Sequence, residues 1–228
     1  RVTMKRIGEL KLGTRLSLIL SSTVIVMMAG IGFYTLQHLK SEKVKDSDTR
    51  LFEQVNDLQN IIDLQISENQ KKVETYGQLA YDLFLSEGEL SINDRNLSTI
   101  TVTDQTTNIS KTIELPEIQY NGIPLYHSFG FVDNIGSLTK GTNTIFQEFD
   151  DGFIRISTNV TDNSGARAVN TYIPNSSEVV RTLKNGDIYR GRAIIMNEWY
   201  LTFYKPLLVE GEVIGAYYFG VPEKNLSE

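Results

Sequence analysis

The chain changes its hydrophobic rhythm twice. Leu16 to Leu36 (LSLILSSTVIVMMAGIGFYTL) runs 21 residues without a charge, about 31 Å as a helix, which matches a hydrocarbon core about 30 Å thick. The continuous pattern then becomes periodic. Between Leu39 and Leu85 there is no Pro and one Gly, Gly77, while apolar residues recur at Leu51, Val55, Leu58 and Ile62 and again at Val73, Tyr76, Ala80 and Leu83. Steps of four and three are helix spacing, so a long helix over 38–86 is predicted, continuous with the span at 16–37. The 47 residues from Leu39 to Leu85 would be about 70 Å long, too long for an ordinary globular helix, so the helix should pack along a folded body. Ile61, Leu64 and Ile66 widen the apolar stripe enough to serve a second contact, and a homodimer is expected; the competing reading is that the stripe only covers the sheet of its own subunit.

After Ser86 the rhythm becomes period two, with β-branched and aromatic residues between turn signals. Ser98 to Thr103 and Lys111 to Leu115 read as strands, and Tyr126 to Leu138 as irregular or briefly helical. Thr142 to Phe149, Phe153 to Val160 and Ala166 to Ile173 read as strands joined by an Asp151-Gly152 turn and an Asn163-Ser164-Gly165 turn. Ser176 or Ser177 should cap a short helix running to Lys184, with Glu178 in its first turn and Asn185-Gly186 closing it. Ile188 to Met196, Tyr200 to Val209 and Val213 to Val221 complete a meander, with Glu210-Gly211 as its last turn. Residues 87–222 form the predicted folded domain, and residues 223–228 would begin a linker toward a second span and an output module that the chain does not carry.

Charge decides orientation. Residues 1–15 carry Arg1, Lys5, Arg6, Lys11 and Arg15 against Glu9, leaving the remainder at −10 within a formal total of −6. The positive-inside rule places residues 1–15 in the cytoplasm and the β half outside, on a single span. A cleavable signal peptide competes, with Gly30-Ile31-Gly32 as a small-x-small site, but the apolar run is longer than the usual core of such a signal and flows directly into helical spacing. An acidic body without a basic stripe makes nucleic acid an unexpected partner. With no Cys there is no disulfide framework, thiolate metal site or Cys nucleophile. His38 and His127 lack a second His at ligand spacing, and Asp150, Asp151 and Asp162 sit where turns favour Asp rather than in a calcium loop. No phosphate loop, serine elbow or catalytic carboxylate pair is recognisable, so no cofactor and no enzymatic activity are expected.

The stretch GTNTIFQEFDDGFIRISTNVTDNSGARAVNTYI (Gly141 to Ile173), followed by NGDIYRGRAIIMNEWYLTFYKPLLVEGEVIGAYYFGV (Asn185 to Val221), resembles the single Cache domain of the fused Cache 3/Cache 2 type. The similarity rests on Arg-x-Ser-Thr-Asn-Val at 155–160, Gly-x-Arg-Ala at 165–168, Tyr-x-Gly-Arg-Ala at 189–193 and Tyr-x-x-x-Tyr-x-Pro at 200–206. Asn170 stands where the pattern commonly has Gly. The resemblance implies an α+β fold, with the N-terminal transmembrane helix continuing into a long helix packed on an antiparallel, PAS-like sheet. It also implies the periplasmic sensor of a transmembrane receptor, of the chemotaxis, histidine-kinase or cyclic-nucleotide kind. A membrane-tethered binding module without output is the alternative from another class.

The residues give that role a physical basis. Alternation puts Tyr189, Gly191 and Ala193 on one face and Tyr200, Thr202 and Tyr204 on one face of the next strand, tyrosines over small residues. Residues 150–205 hold seven Lys or Arg against six acids, whereas 39–149 hold nine against seventeen. That local surplus points to a small organic acid, held by Arg155, Lys205 or one of Arg190 and Arg192, with Tyr172, Tyr200 and Tyr204 as hydrogen-bond donors. Phe146, Ser157 and Tyr189 complete the candidate ligand-binding set. Trp199 follows a turn and reads equally as core cap or pocket rim.

Overall fold

In the computed structural model the described residues are 12–86, 88–162 and 164–225. The basic flank through Lys11, Asn163 of the expected turn and the last three residues of the linker lie outside them. Helix α1 (Leu12–Ser86) crosses the boundary between two compact units, Arg1–Asp63 and Leu64–Glu228. In the first unit, Leu12–His38 is long and apolar enough to cross a membrane, and none of it is buried against protein. Its hydroxyls are satisfied internally: Ser21 donates to the Ser17 carbonyl at 2.8 Å and Thr35 to the Ile31 carbonyl at 2.9 Å. Such back-bonding is what lets Ser and Thr sit in hydrocarbon. Leu51, Val55, Leu58 and Ile62 are all exposed.

The second unit is α+β. Its nine strands are β1 (Leu90–Asp104), β2 (Ser110–Tyr120), β3 (Ile123–Pro124), β4 (Thr142–Phe149), β5 (Gly152–Thr158), β6 (Thr171–Pro174), β7 (Tyr189–Ile195), β8 (Glu198–Val209) and β9 (Glu212–Pro222). They form one sheet in the order β3-β2-β1-β6-β5-β4-β9-β8-β7. The sheet is mixed rather than wholly antiparallel, because β1 meets β6 in parallel at Thr103–Thr171 and Asp104–Tyr172. Helices α2 (Gly130–Thr139) and α3 (Glu178–Lys184) complete the unit, with a 3₁₀ turn at Glu223–Asn225.

Period-two patterning builds two cores, one on each face of the sheet. Ile145, Ile154, Phe203 and Tyr217 face α1, while their neighbours Phe146, Phe153, Tyr204 and Tyr218 face α3. Adjacent strand residues point to opposite faces, so each dipeptide serves both layers. The stripe of α1 that covers the first face is Val73, Gly77, Ala80, Tyr81 and Phe84. It is rotated from the predicted one: Tyr76 and Leu83 are exposed. Gly77 accounts for the rotation, since a Cβ there would stand 2.5 Å from Phe203 Cδ1. The helix is pinned by Tyr81, which donates to the Pro206 carbonyl at 2.9 Å, and by Gln70 Nε2, which donates to the Thr202 carbonyl at 3.0 Å.

The turns follow local chemistry with two departures. Asn121-Gly122, Met196-Asn197 and Glu210-Gly211 have φ of 52° and 75°, 48° and 68°, and 53° and 90°. Each joins paired strands through two left-handed residues, as type I′ hairpins require. The β4–β5 turn is Asp150-Asp151, one residue earlier than predicted, because Phe149 pairs with Gly152. Gly152 is the first residue of β5, at φ 152°, where a Cβ would meet the Ile173 carbonyl oxygen at 1.9 Å. The expected strand over Ala166–Ile173 shortens to β6; the segment before it is a loop held by the lone bridge between Thr161 and Arg167. Ser177 stands at the start of α3 but its hydroxyl makes no capping bond.

Candidate functional site

β7, β8, α3 and the turn after β1 border an open cavity of about 260 Å³ lined by Tyr189, Tyr204, Arg192, Trp199, Glu178 and Gln105, among others. Tyr189 and Tyr204 are cross-strand partners packed edge to face at 5.9 Å. Tyr204 in turn lies 4.8 Å from the Tyr218 ring, and Tyr218 meets Phe146 edge to face at 6.5 Å. Burial pushes the Tyr204 and Tyr218 hydroxyls well above the ordinary tyrosine value, so they remain neutral donors and acceptors throughout the physiological range.

Behind this aromatic wall lies Arg155, only 1% exposed. Its Nη1 donates to Thr171 Oγ1 and its Nη2 to Gln105 Oε1, both at 2.8 Å, and the guanidinium stands 5.1 Å from the Phe146 ring centroid. Its Nε is buried with no hydrogen-bond partner. Among the described residues no carboxylate forms an ion pair with it. Desolvation therefore pulls its pKa down, opposed only by the neighbouring Tyr204 and Tyr218. A buried cation without a counter-charge is costly, and such groups are ordinarily paired.

A second, more polar cavity of about 370 Å³ lies beside Thr103, Gln105, Thr106, Asp162, Thr171 and Met196, among others. Gln105 lines both cavities, and Thr171 lines the second, so the two groups that accept hydrogen bonds from Arg155 are also cavity walls.

Of the ten residues proposed from sequence, Tyr189, Arg192 and Tyr204 line the first cavity, and Arg155 and Phe146 pack behind Tyr204. Tyr200 belongs to the same core without lining the cavity. The others are engaged elsewhere. Ser157 donates to the Ser128 carbonyl. Tyr172 packs in the α1-facing core against Phe149, and burial together with Asp104 raises its pKa. Arg190 pairs with Glu74 on α1, and Lys205 donates to Gln78 and lies 4.1 Å from the Tyr81 ring centroid. Both point to the α1 face because they sit one residue from Tyr189 and Tyr204, and alternation reverses them. Arg192 is a rim residue, stacked 4.4 Å from the Trp199 ring and paired with Glu223. Trp199 resolves as pocket rim. Gln105 carried no signal in the sequence, since a lone Gln after a strand is an ordinary turn residue.

A family model for the Cache 3/Cache 2 fusion domain matches residues 37–228. The chain belongs to the Cache 3/Cache 2 fusion family. A Cache domain is an extracellular small-molecule sensor module. The single apolar helix before this Cache domain is compatible with a membrane-anchored sensor. No curated protein and no solved structure gives a significant match to the chain.

Proposed function

We propose that this chain is the non-catalytic, extracytoplasmic sensing region of a transmembrane signalling receptor, and that it takes a small organic acid. The observation that carries the ligand class is Arg155, a guanidinium sealed in the domain with an unpartnered Nε and, among the described residues, no ion-paired carboxylate. An anion arriving beside it gains charge-assisted hydrogen bonds in a low-dielectric site and relieves a desolvated charge. Glu178 stands at the mouth, and the charge of Arg192 is shared with Glu223, so attraction for an anion comes from Arg155. The cavity volume corresponds to roughly eight or nine water-sized groups, which suits a short-chain acid. Calorimetry of the 228-residue chain in lipid nanodiscs against two- to five-carbon mono- and dicarboxylates tests the assignment. Binding of at least one, lost in Arg155→Met, is expected; no heat across the whole series would overturn it.

The positive flank at residues 1–15 supports a cytoplasmic N-terminus and a sensor outside the inner membrane. The exposed 4-3-4 stripe of Leu51, Val55, Leu58 and Ile62 supports a homodimer through α1, since this spacing is that of a two-helix seam. Ligand binding would then bias two arrangements of the paired helices, within a coupling of about 1–3 kcal/mol. Chemotaxis-type output is the leading reading; a histidine kinase or cyclic-nucleotide enzyme uses the same input, and the coding sequence downstream of Glu228 distinguishes them.

A further inference from the structure

The Gln105 side chain lines both cavities and presents Oε1 to Arg155 Nη2 at 2.8 Å, where the oxygen of a bound anion would sit. The backbone that carries it is fixed independently. Gln105 N donates to the Tyr172 carbonyl at 3.1 Å, Asn108 N to the Asp104 carbonyl at 2.9 Å, and Asp104 Oδ1 accepts from Thr106 N at 2.7 Å. The turn therefore holds without the Gln105 side chain, which can swing toward the more polar cavity while its backbone stays in place.

We propose that Gln105 is a tethered stand-in for the ligand: its amide oxygen occupies the anion seat on Arg155 in the empty domain, and only a negatively charged oxygen displaces it. This rests on the organic-acid reading given above and adds a specificity-determining residue to it. The selectivity follows from competition. A neutral amide, alcohol or sugar offers Arg155 a dipole no better than the one already present, and gains nothing from the exchange. A carboxylate adds ion–ion attraction to the hydrogen bond, which the neutral amide of Gln105 cannot supply, so it alone wins the seat. Ligand affinity is lowered by what the resident bond contributes, and discrimination against neutral molecules is the return.

Two variants of the 228-residue chain in nanodiscs test this, with propionate and propionamide as probes. Gln105→Ala removes the competitor: propionate should bind roughly tenfold more tightly, as expected for loss of one resident hydrogen bond to a charged group, and propionamide should acquire measurable binding. Gln105→Glu supplies a permanent anion: propionate binding should fall at least about a hundredfold. The melting midpoint of the ligand-free protein should rise by roughly 3 °C or more. Adding Arg155→Met should cancel that rise, because the new carboxylate then has no cation to meet. The ligand-free arm separates two kinds of failure. If wild type binds no acid but Gln105→Glu is stabilised through Arg155, the organic-acid reading falls and the seat itself stands. If Gln105→Glu is not stabilised, or if it binds propionate as wild type does, Gln105 does not occupy the anion seat and the proposal is overturned.

Discussion

Replacing Arg155 by Met separates a ligand anchor from a structural keystone. The substitution removes two hydrogen bonds from a charged donor, to Thr171 Oγ1 and Gln105 Oε1, each contributing about 1.5–3 kcal/mol. It also removes a desolvated charge whose burial costs several kcal/mol even after relaxation. An unpartnered Nε and the absence of an ion-paired carboxylate among the described residues mean that little offsets that cost in the empty domain. The two contributions nearly cancel, so the ligand-free variant should lie within about 2 kcal/mol of wild type, although truncating a buried side chain of this size commonly costs about 3–5 kcal/mol. For a domain of this length that limit corresponds to a midpoint change of no more than roughly 8 °C in either direction. Scanning calorimetry of the full chain in nanodiscs reads it, with and without a saturating short-chain acid. The acid should raise the wild-type midpoint and leave Arg155→Met unmoved. A ligand-free loss well beyond that range would refute the reasoning, because it would mean that the charge of Arg155 is already compensated within the fold.

Gly152→Ala should lower stability by about 3 kcal/mol, measured by chemical denaturation, since its Cβ would collide with the Ile173 carbonyl oxygen where β5 meets β6. Gly77→Ala, normally favourable inside a helix, should instead destabilise by displacing the Phe203 ring, and Gly77→Ala combined with Phe203→Leu should recover part of the loss. Asp162 accepts from Ser164 Oγ, Ser164 N and Ala166 N, and these bonds hold its carboxyl below the ordinary carboxylate range. A depressed folded pKa gives stability that is present above the unfolded value and lost as pH falls through the folded one; Asp162→Asn should flatten that acid limb in an amide-exchange titration of the 162–166 loop. Because the chain has no native Cys, Val55→Cys and Ile62→Cys report directly on the helix seam: disulfide formation in membranes supports the homodimer, and a pattern altered by ligand supports transmission through α1.

Much of the fold was legible because the β half alternates so regularly. β4 lies where its residues predict, and β7, β8 and β9 fall within two residues of expectation, since each is a period-two run stopped by Gly, Asn or Glu-Gly turns. β1 was less visible: Asn93 to Asn96 is polar and interrupted by a register shift between Asn93 and Leu97, so only its second half carries strand chemistry. The Ala166–Ile173 stretch misled because its composition suits a strand, whereas Arg167 leaves the sheet to grip both Asp133 carboxylate oxygens and the Thr158 carbonyl. At the site, alternation set Tyr189 and Tyr204 on one face, where both line the cavity, and the same rule, applied to Arg190 and Lys205, would have sent them to α1. Gln105 was illegible for a different reason: what matters there is a contact 50 residues away in the chain with Arg155, and no local pattern encodes it.

The central claim is that a buried, unpaired guanidinium gives this Cache cavity its ligand preference. Matched titrations of the wild-type chain with propionate and with propionamide, nearly identical in shape and different in charge, test it most directly. Saturable binding of the acid with none of the amide is predicted; equal affinity for both, or binding of the amide alone, would contradict it.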